Sequence, residues 1–89
     1  YEKVEIYNVT NGERFSTYLI AAESGSKTVS INGAAAHKAS PEDIIIICSY
    51  ASMSEDQISS HAPTLVYFNE SNEIVDIKSS IPTQRLRSL

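Results

Sequence analysis

The sequence predicts a mainly β fold, a small barrel carrying one or two short helices. Three observations carry this expectation. Short runs that alternate apolar and polar residues recur at close spacing. Two Asn-Gly pairs, Asn11-Gly12 and Asn32-Gly33, punctuate those runs, and Asn-Gly is the commonest pair where a turn needs positive φ. No segment holds a helical period long enough for a long helix, and many short strands divided by turns suit a small closed sheet.

Taken in order, Val4, Ile6 and Val9 with their polar neighbours read as a strand over residues 3–9. Thr10-Asn11-Gly12-Glu13 turns the chain into a second strand over 13–22, which carries Phe15, Thr17, Tyr18 and Ile20. Ser24-Gly25-Ser26 breaks the pattern, and Thr28–Ile31 reads as a third strand. After Asn32-Gly33, the stretch Ala34–Lys38 has the length of one helical turn. Pro41-Glu42-Asp43 turns into the strongest strand, Ile44–Tyr50, which opens with four isoleucines. Such a strand is apolar on both faces, so a barrel core and a neighbouring element or subunit must cover it. Ser54-Glu55-Asp56-Gln57 has capping-box spacing and predicts a helix over 55–60 that stops before Pro63. Thr64–Phe68 and Ile74–Ile77 read as a hairpin joined through Asn69–Glu73. Residues 1–77 form one domain in this reading, and residues 78–89 a C-terminal tail.

At 89 residues there is material for at most one small domain, with a thin core. Cys48 is the only cysteine, so no disulfide can reinforce that core, and help from another chain is expected. A lone Cys within an isoleucine run fits a core position and a reducing cytoplasm. No stretch is long and apolar enough to span a bilayer. The net charge of −4 is uneven: residues 1–77 carry −7, while Lys78, Arg85 and Arg87 give the tail +3. An acidic body repels phosphate backbones and argues against a nucleic-acid partner.

Two segments offer chemistry. Period-two alternation places Arg14, Ser16 and Tyr18 on one strand face. Arg14 presents a planar fork suited to a carboxylate, and Tyr18 a phenol that is protonated at neutral pH. Thr17 points the other way unless a bulge or a subunit boundary re-aims it. From spacing alone the plainer reading, a surface Arg beside a core-edge Tyr, is the stronger one. The second segment is Asn32-Gly33-Ala34-Ala35, where small residues let a ligand approach the backbone N–H groups and Asn32 adds an amide. From these residues alone a simple turn into a poorly formed helix is the stronger reading. Other patterns fall away. Gly25-Ser26-Lys27-Thr28 lacks the order of a phosphate-binding loop. Asn8-Val9-Thr10 and Asn69-Glu70-Ser71 match a glycosylation pattern that matters only in a secreted chain. His37 and His61 lack ligand-spaced partners, so metal binding is not expected.

The run Asn8-Val9-Thr10-Asn11-Gly12-Glu13-Arg14-Phe15-Ser16-Thr17-Tyr18, then Ile31-Asn32-Gly33-Ala34-Ala35-Ala36-His37, then Glu42-Asp43-Ile44, closely resembles the aspartate 1-decarboxylases. These are bacterial pyruvoyl enzymes that make β-alanine for pantothenate. The resemblance runs from about Glu2 to Phe68 and implies a double-psi β-barrel assembled as a cytoplasmic homotetramer. It implies Tyr18 as proton donor, Arg14 as partner of a substrate carboxylate, and Thr17 as a substrate-binding residue. It further implies a pocket amide at Asn32 and substrate-holding backbone at Gly33, Ala34 and Ala35. In that family the pyruvoyl group arises from a serine at a self-cleaved Gly-Ser bond, which frees a short β chain. That bond lies upstream of the matched stretch, and Gly25-Ser26 falls where the family has an ordinary turn. The resemblance therefore implies an α chain lacking its N-terminal part. The expected reaction is loss of CO2 from L-aspartate, with the pyruvoyl carbonyl as electron sink. The alternative is a non-catalytic barrel that serves assembly or binds a partner, since one fold hosts many functions.

Overall fold

The computed structural model describes residues 1–85, and the chain forms two compact units, Tyr1–Ser52 and a second beginning at Met53. The first unit is built on β1 (Lys3–Asn8), β2 (Arg14–Tyr18) and β3 (Ile45–Cys48), with a 3₁₀ helix over Gly33–Lys38 between β2 and β3. β1 is the central strand, antiparallel to β2 on one side and to β3 on the other. The chain thus leaves one edge of the sheet after Tyr18 and returns on the opposite edge at Ile45.

Alternation explains what each face carries. Val4, Ile6 and Asn8 of β1 are buried, and Thr17 and Phe15 of β2 sit opposite Val4 and Ile6. Ile47 and Ile45 of β3 lie opposite Ile6 and Asn8 on that same face. The other face bears Lys3, Glu5, Tyr7, Arg14, Ser16, Tyr18, Ile46 and Cys48. Gly12 closes the β1–β2 turn with φ +78, a conformation that a side chain would strain.

Asn8 ties this unit together. Its Oδ1 accepts the N–H groups of Thr10 (3.0 Å) and Asn11 (3.3 Å), shaping the turn. Its Nδ2 donates to the Lys38 carbonyl (3.1 Å) at the end of the 3₁₀ helix and to Asp43 Oδ2 (2.8 Å) before β3. Asn11 Nδ2 also donates to the Lys38 carbonyl, and Lys38 Nζ pairs with Glu13 at 3.0 Å. The Ile44 N–H donates to Thr10 Oγ1, so the start of β3 is pinned to the same turn.

The second unit holds α1 (Glu55–Ser60) and the antiparallel hairpin of β4 (Leu65–Phe68) and β5 (Ile74–Lys78). Ser54 and Gln57 make the capping box in full: Ser54 Oγ accepts the Gln57 N–H, and Gln57 Oε1 accepts the Ser54 N–H. The ladder of β4 and β5 shifts register between Tyr67 and Phe68.

The fold class is as expected: mainly β, with two short helices, at a size that suits a small β-barrel. Several boundaries differ. β2 ends at Tyr18 rather than near residue 22, and β3 spans four residues rather than seven. Thr28–Ile31 is not a strand. No described segment pairs with it, and its polar groups turn to near neighbours: the Thr28 N–H and Oγ1 donate to Ser26 Oγ and the Ser26 carbonyl. A β-branched run without a partner strand has no ladder to join. Of the four isoleucines, Ile44, Ile46 and Ile47 are 66%, 49% and 46% exposed in the single chain. The tail expected over 78–89 starts inside β5, whose last residue is Lys78, and its last four residues lie outside the described part of the chain.

Candidate active site

β2 presents Arg14, Ser16 and Tyr18 on its exposed face because a regular strand, without a bulge, sends alternate side chains the same way. The hairpin register sets their neighbours. Tyr7 lies opposite Arg14, Glu5 opposite Ser16, and Lys3 opposite Tyr18. The Arg14 guanidinium rests over the Tyr7 ring, with Cζ 4.5 Å from the ring centroid. Such stacking leaves the rim of N–H donors free, and among the described residues Arg14 has no carboxylate partner. Ser16 Oγ donates to the Glu5 carboxylate at 2.7 Å.

The Tyr18 ring stacks against Tyr1 at a tilt, with centroids 6.1 Å apart, and is 56% exposed. Among the described residues its hydroxyl makes no hydrogen bond, so it is free to donate. The structure thus brings Arg14 and Tyr18 to one face, one strand repeat on either side of Ser16. Thr17 is turned to the other face, half-buried opposite Val4.

Asn32 precedes the 3₁₀ helix in an extended conformation and makes no capping bond with its side chain. Its Oδ1 instead accepts from Ser30 Oγ at 3.2 Å. Gly33 opens the helix at φ +64, and Gly33, Ala34 and Ala35 cover their backbone with at most a methyl group. The helix packs against β2. Its position is set from its far end, where Lys38 is held by Asn8, Asn11 and Glu13.

Tyr7 and Tyr50 were not singled out from the sequence, yet their hydroxyls meet at 2.8 Å on the Arg14 face. This bond, with lesser help from burial and from Cys48, pushes the Tyr50 phenol up to about 12, so it is protonated at neutral pH. A shallow hollow of about 210 Å³ lies beside them, lined by Lys3, Val4, Glu5, Cys48 and Tyr50. The signal for Tyr7 was present: alternation from Val4 and Ile6 puts it on the Glu5 face, and the Asn11-Gly12 turn sets it against Arg14. Tyr50 could not be placed without knowing that β3 flanks β1. Elsewhere, Asp43 is held below the usual carboxylate range, first by the Asn8 side chain and then by the Ser40 N–H. Among the described residues no three His, Cys, Asp or Glu side chains gather as a metal site would require. Among the described residues no helix is long and apolar enough to cross a membrane.

Comparison with known proteins bears on this arrangement. The model of the aspartate decarboxylase family matches residues 1–75. Similar proteins include the aspartate 1-decarboxylase of Tolumonas auensis, 54% identical over 84 residues. Those of Pseudomonas aeruginosa and Alcanivorax borkumensis are 52% and 50% identical over the same length. In each case the match covers 94% of this chain and 67% of the relative. With residues 1–75 of its 89 matched and half the aligned positions identical to named relatives, the chain belongs to the aspartate decarboxylase family.

Proposed function

We propose that this chain is the catalytic α chain of a pyruvoyl-dependent aspartate 1-decarboxylase, converting L-aspartate to β-alanine and CO2 for pantothenate synthesis. The observation that carries the reading is a guanidinium with no carboxylate partner and a phenol hydroxyl with no hydrogen bond, among the described residues, on one face of β2. A pyruvoyl carbonyl, derived from a serine upstream of the residues present here, supplies the electron sink that removal of CO2 demands. The donor set suits such a group: Tyr18 Oη is free, Asn32 keeps its amide nitrogen, and the small residues after it leave backbone N–H groups uncovered.

Arg14 holds a substrate carboxylate through its free N–H rim. Asn32 and the backbone of Gly33, Ala34 and Ala35 hold the substrate from the 3₁₀ helix. Thr17 contributes from the opposite side of β2. Tyr18 Oη then gives its proton to the carbon that has lost CO2. Four copies, each with its cleaved β chain, assemble in the cytoplasm. Assembly is supported by the exposed Ile44, Ile46 and Ile47 of the first unit and, separately, by the exposed Phe68, Val75 and Ile77 of the second, because clustered exposed apolar side chains mark contact surfaces. A purely non-catalytic role is less well supported, since it leaves the free guanidinium and phenol without a task.

The test uses the full-length, processed enzyme. Tyr18→Phe should lower kcat on the order of 10²-fold or more with KM nearly unchanged, whereas Arg14→Ala should chiefly raise KM. Wild-type turnover in Tyr18→Phe would remove Tyr18 from the reaction. Borohydride trapping with aspartate, read by intact mass, checks the origin of the carbonyl separately.

A further inference from the structure

We infer that Tyr50 is a positioning residue for the substrate-binding arginine: its hydroxyl fixes that of Tyr7, and the Tyr7 ring fixes the Arg14 guanidinium. This rests on the reading that Arg14 binds the substrate carboxylate.

Three strands contribute one group each. Arg14 starts β2, Tyr7 lies opposite it on the central β1, and Tyr50 follows β3 on the far edge. The guanidinium lies 4.5 Å from the Tyr7 ring centroid, and the two phenol oxygens are 2.8 Å apart. An arginine side chain has many rotamers, and holding it for a planar substrate group costs entropy unless something orders it beforehand. A ring beneath it restricts its plane without using any N–H donor. That ring must itself stay in place. Tyr7 is only half-buried, so packing alone does not lock it, and a hydrogen bond at its far end does. Tyr50 is 72% exposed, and this bond gives an otherwise solvent-facing side chain a defined partner. The raised titration of Tyr50 agrees with a phenol engaged in that bond. Ser16 and Glu5 complete the frame: the Ser16 hydroxyl donates to the Glu5 carboxylate on the same face, and Arg14 is stacked on Tyr7.

The experiment compares Tyr50→Phe, Tyr7→Phe, the double variant, Tyr7→Leu and Arg14→Ala in the full-length, processed enzyme. Each Phe variant keeps a ring and loses one hydroxyl. We expect each to raise KM about 3- to 10-fold with kcat within about 2-fold, and the double variant to be no worse than either alone. Tyr7→Leu removes the ring as well and should raise KM further. Inhibition by succinate, a dicarboxylate without the amine, should weaken in parallel. A wild-type KM in both Phe variants, additive effects in the double variant, or a fall in kcat alone would overturn the positioning role. If Arg14→Ala itself leaves KM and succinate inhibition unchanged, the carboxylate-binding reading fails instead. Absorbance titration gives a readout independent of turnover: the late-titrating phenol should vanish in Tyr50→Phe and move toward the ordinary tyrosine range in Tyr7→Phe. An unmoved titration in Tyr7→Phe would also overturn the inference.

Discussion

Asn8 and Asn69 each stand at the close of the first strand of a hairpin, and they organise their turns in the same way. Asn8 Oδ1 accepts the N–H groups of Thr10 and Asn11, and its own N–H donates to the Glu13 carbonyl. Asn69 Oδ1 accepts those of Ser71 and Glu73, and its N–H donates to the Glu73 carbonyl. The amide nitrogens then diverge. That of Asn69 reaches Glu73, four residues on, and the side chain stays exposed. That of Asn8 reaches Lys38 and Asp43, thirty and thirty-five residues away, and Asn8 is 2% exposed. The same local chemistry makes a turn in both places. Only in the first does it also fix where distant segments lie, and those segments carry the 3₁₀ helix and the start of β3.

The comparison breaks most visibly at Asn8. Asn8→Ala takes the acceptor from two turn N–H groups and one of two donors from the Lys38 carbonyl and from Asp43 Oδ2, at a buried position. A loss of about 2–4 kcal/mol in unfolding free energy is expected, read from the urea midpoint of the full-length enzyme. Asn8→Asp separates the two functions of the residue. It keeps an acceptor for Thr10 and Asn11 but replaces the donating nitrogen with an oxygen that faces Asp43 and the Lys38 carbonyl. Its turn should persist while the 3₁₀ helix loses one of the three ties at Lys38, seen as faster amide exchange over residues 33–38. Equal exchange there in both proteins would show that Asn8 does not hold the helix.

This contrast marks how far the sequence could be read. The capping box at Ser54 and Gln57, the Asn69–Glu73 hairpin and the alternation in β1 and β2 all depend on residues within a few positions of one another. All of these are present in the fold. The Arg14 and Tyr18 face was legible for the same reason. Thr28–Ile31 has strand-like residues, but strand formation needs a partner that local pattern cannot report. The isoleucine run predicted enclosure on both faces, which is a demand on other surfaces rather than a property of the run. Tyr7 with Tyr50, and Asn8 with Lys38 and Asp43, are contacts across 30 to 43 residues, created only when β3 docks beside β1.

A smaller effect sharpens the role of Asp43 in the Asn8 knot. Its pKa in the fold is lowered, by the Asn8 side chain first and the Ser40 N–H second, so the folded state binds its proton less readily than the unfolded chain. Stability from this group is therefore fully present above the ordinary Asp value of about 4 and is lost as pH falls through the lowered one. Urea midpoints measured down through that range should fall in the wild type. They should fall less steeply in Asp43→Asn, and less steeply in Asn8→Ala, which removes the principal cause of the shift. Identical slopes in all three would mean that the Asn8–Asp43 bond does not influence folding.

The smallest effect belongs to Asn69. Asn69→Ala removes two acceptor bonds, as many as Asn8→Ala removes from its turn, together with the link to the Glu73 side chain. Here the freed N–H groups are at the surface, where water replaces the lost oxygen, so about 0.5–1 kcal/mol is expected. Faster exchange should be confined to the 69–73 turn, with β1, β2 and the 3₁₀ helix unchanged. A loss as large as that of Asn8→Ala would show the hairpin to be tied into the assembled enzyme as firmly as the Asn8 knot is tied within its own unit. The difference between the two turns would then lie in the isolated chain and disappear in the assembly.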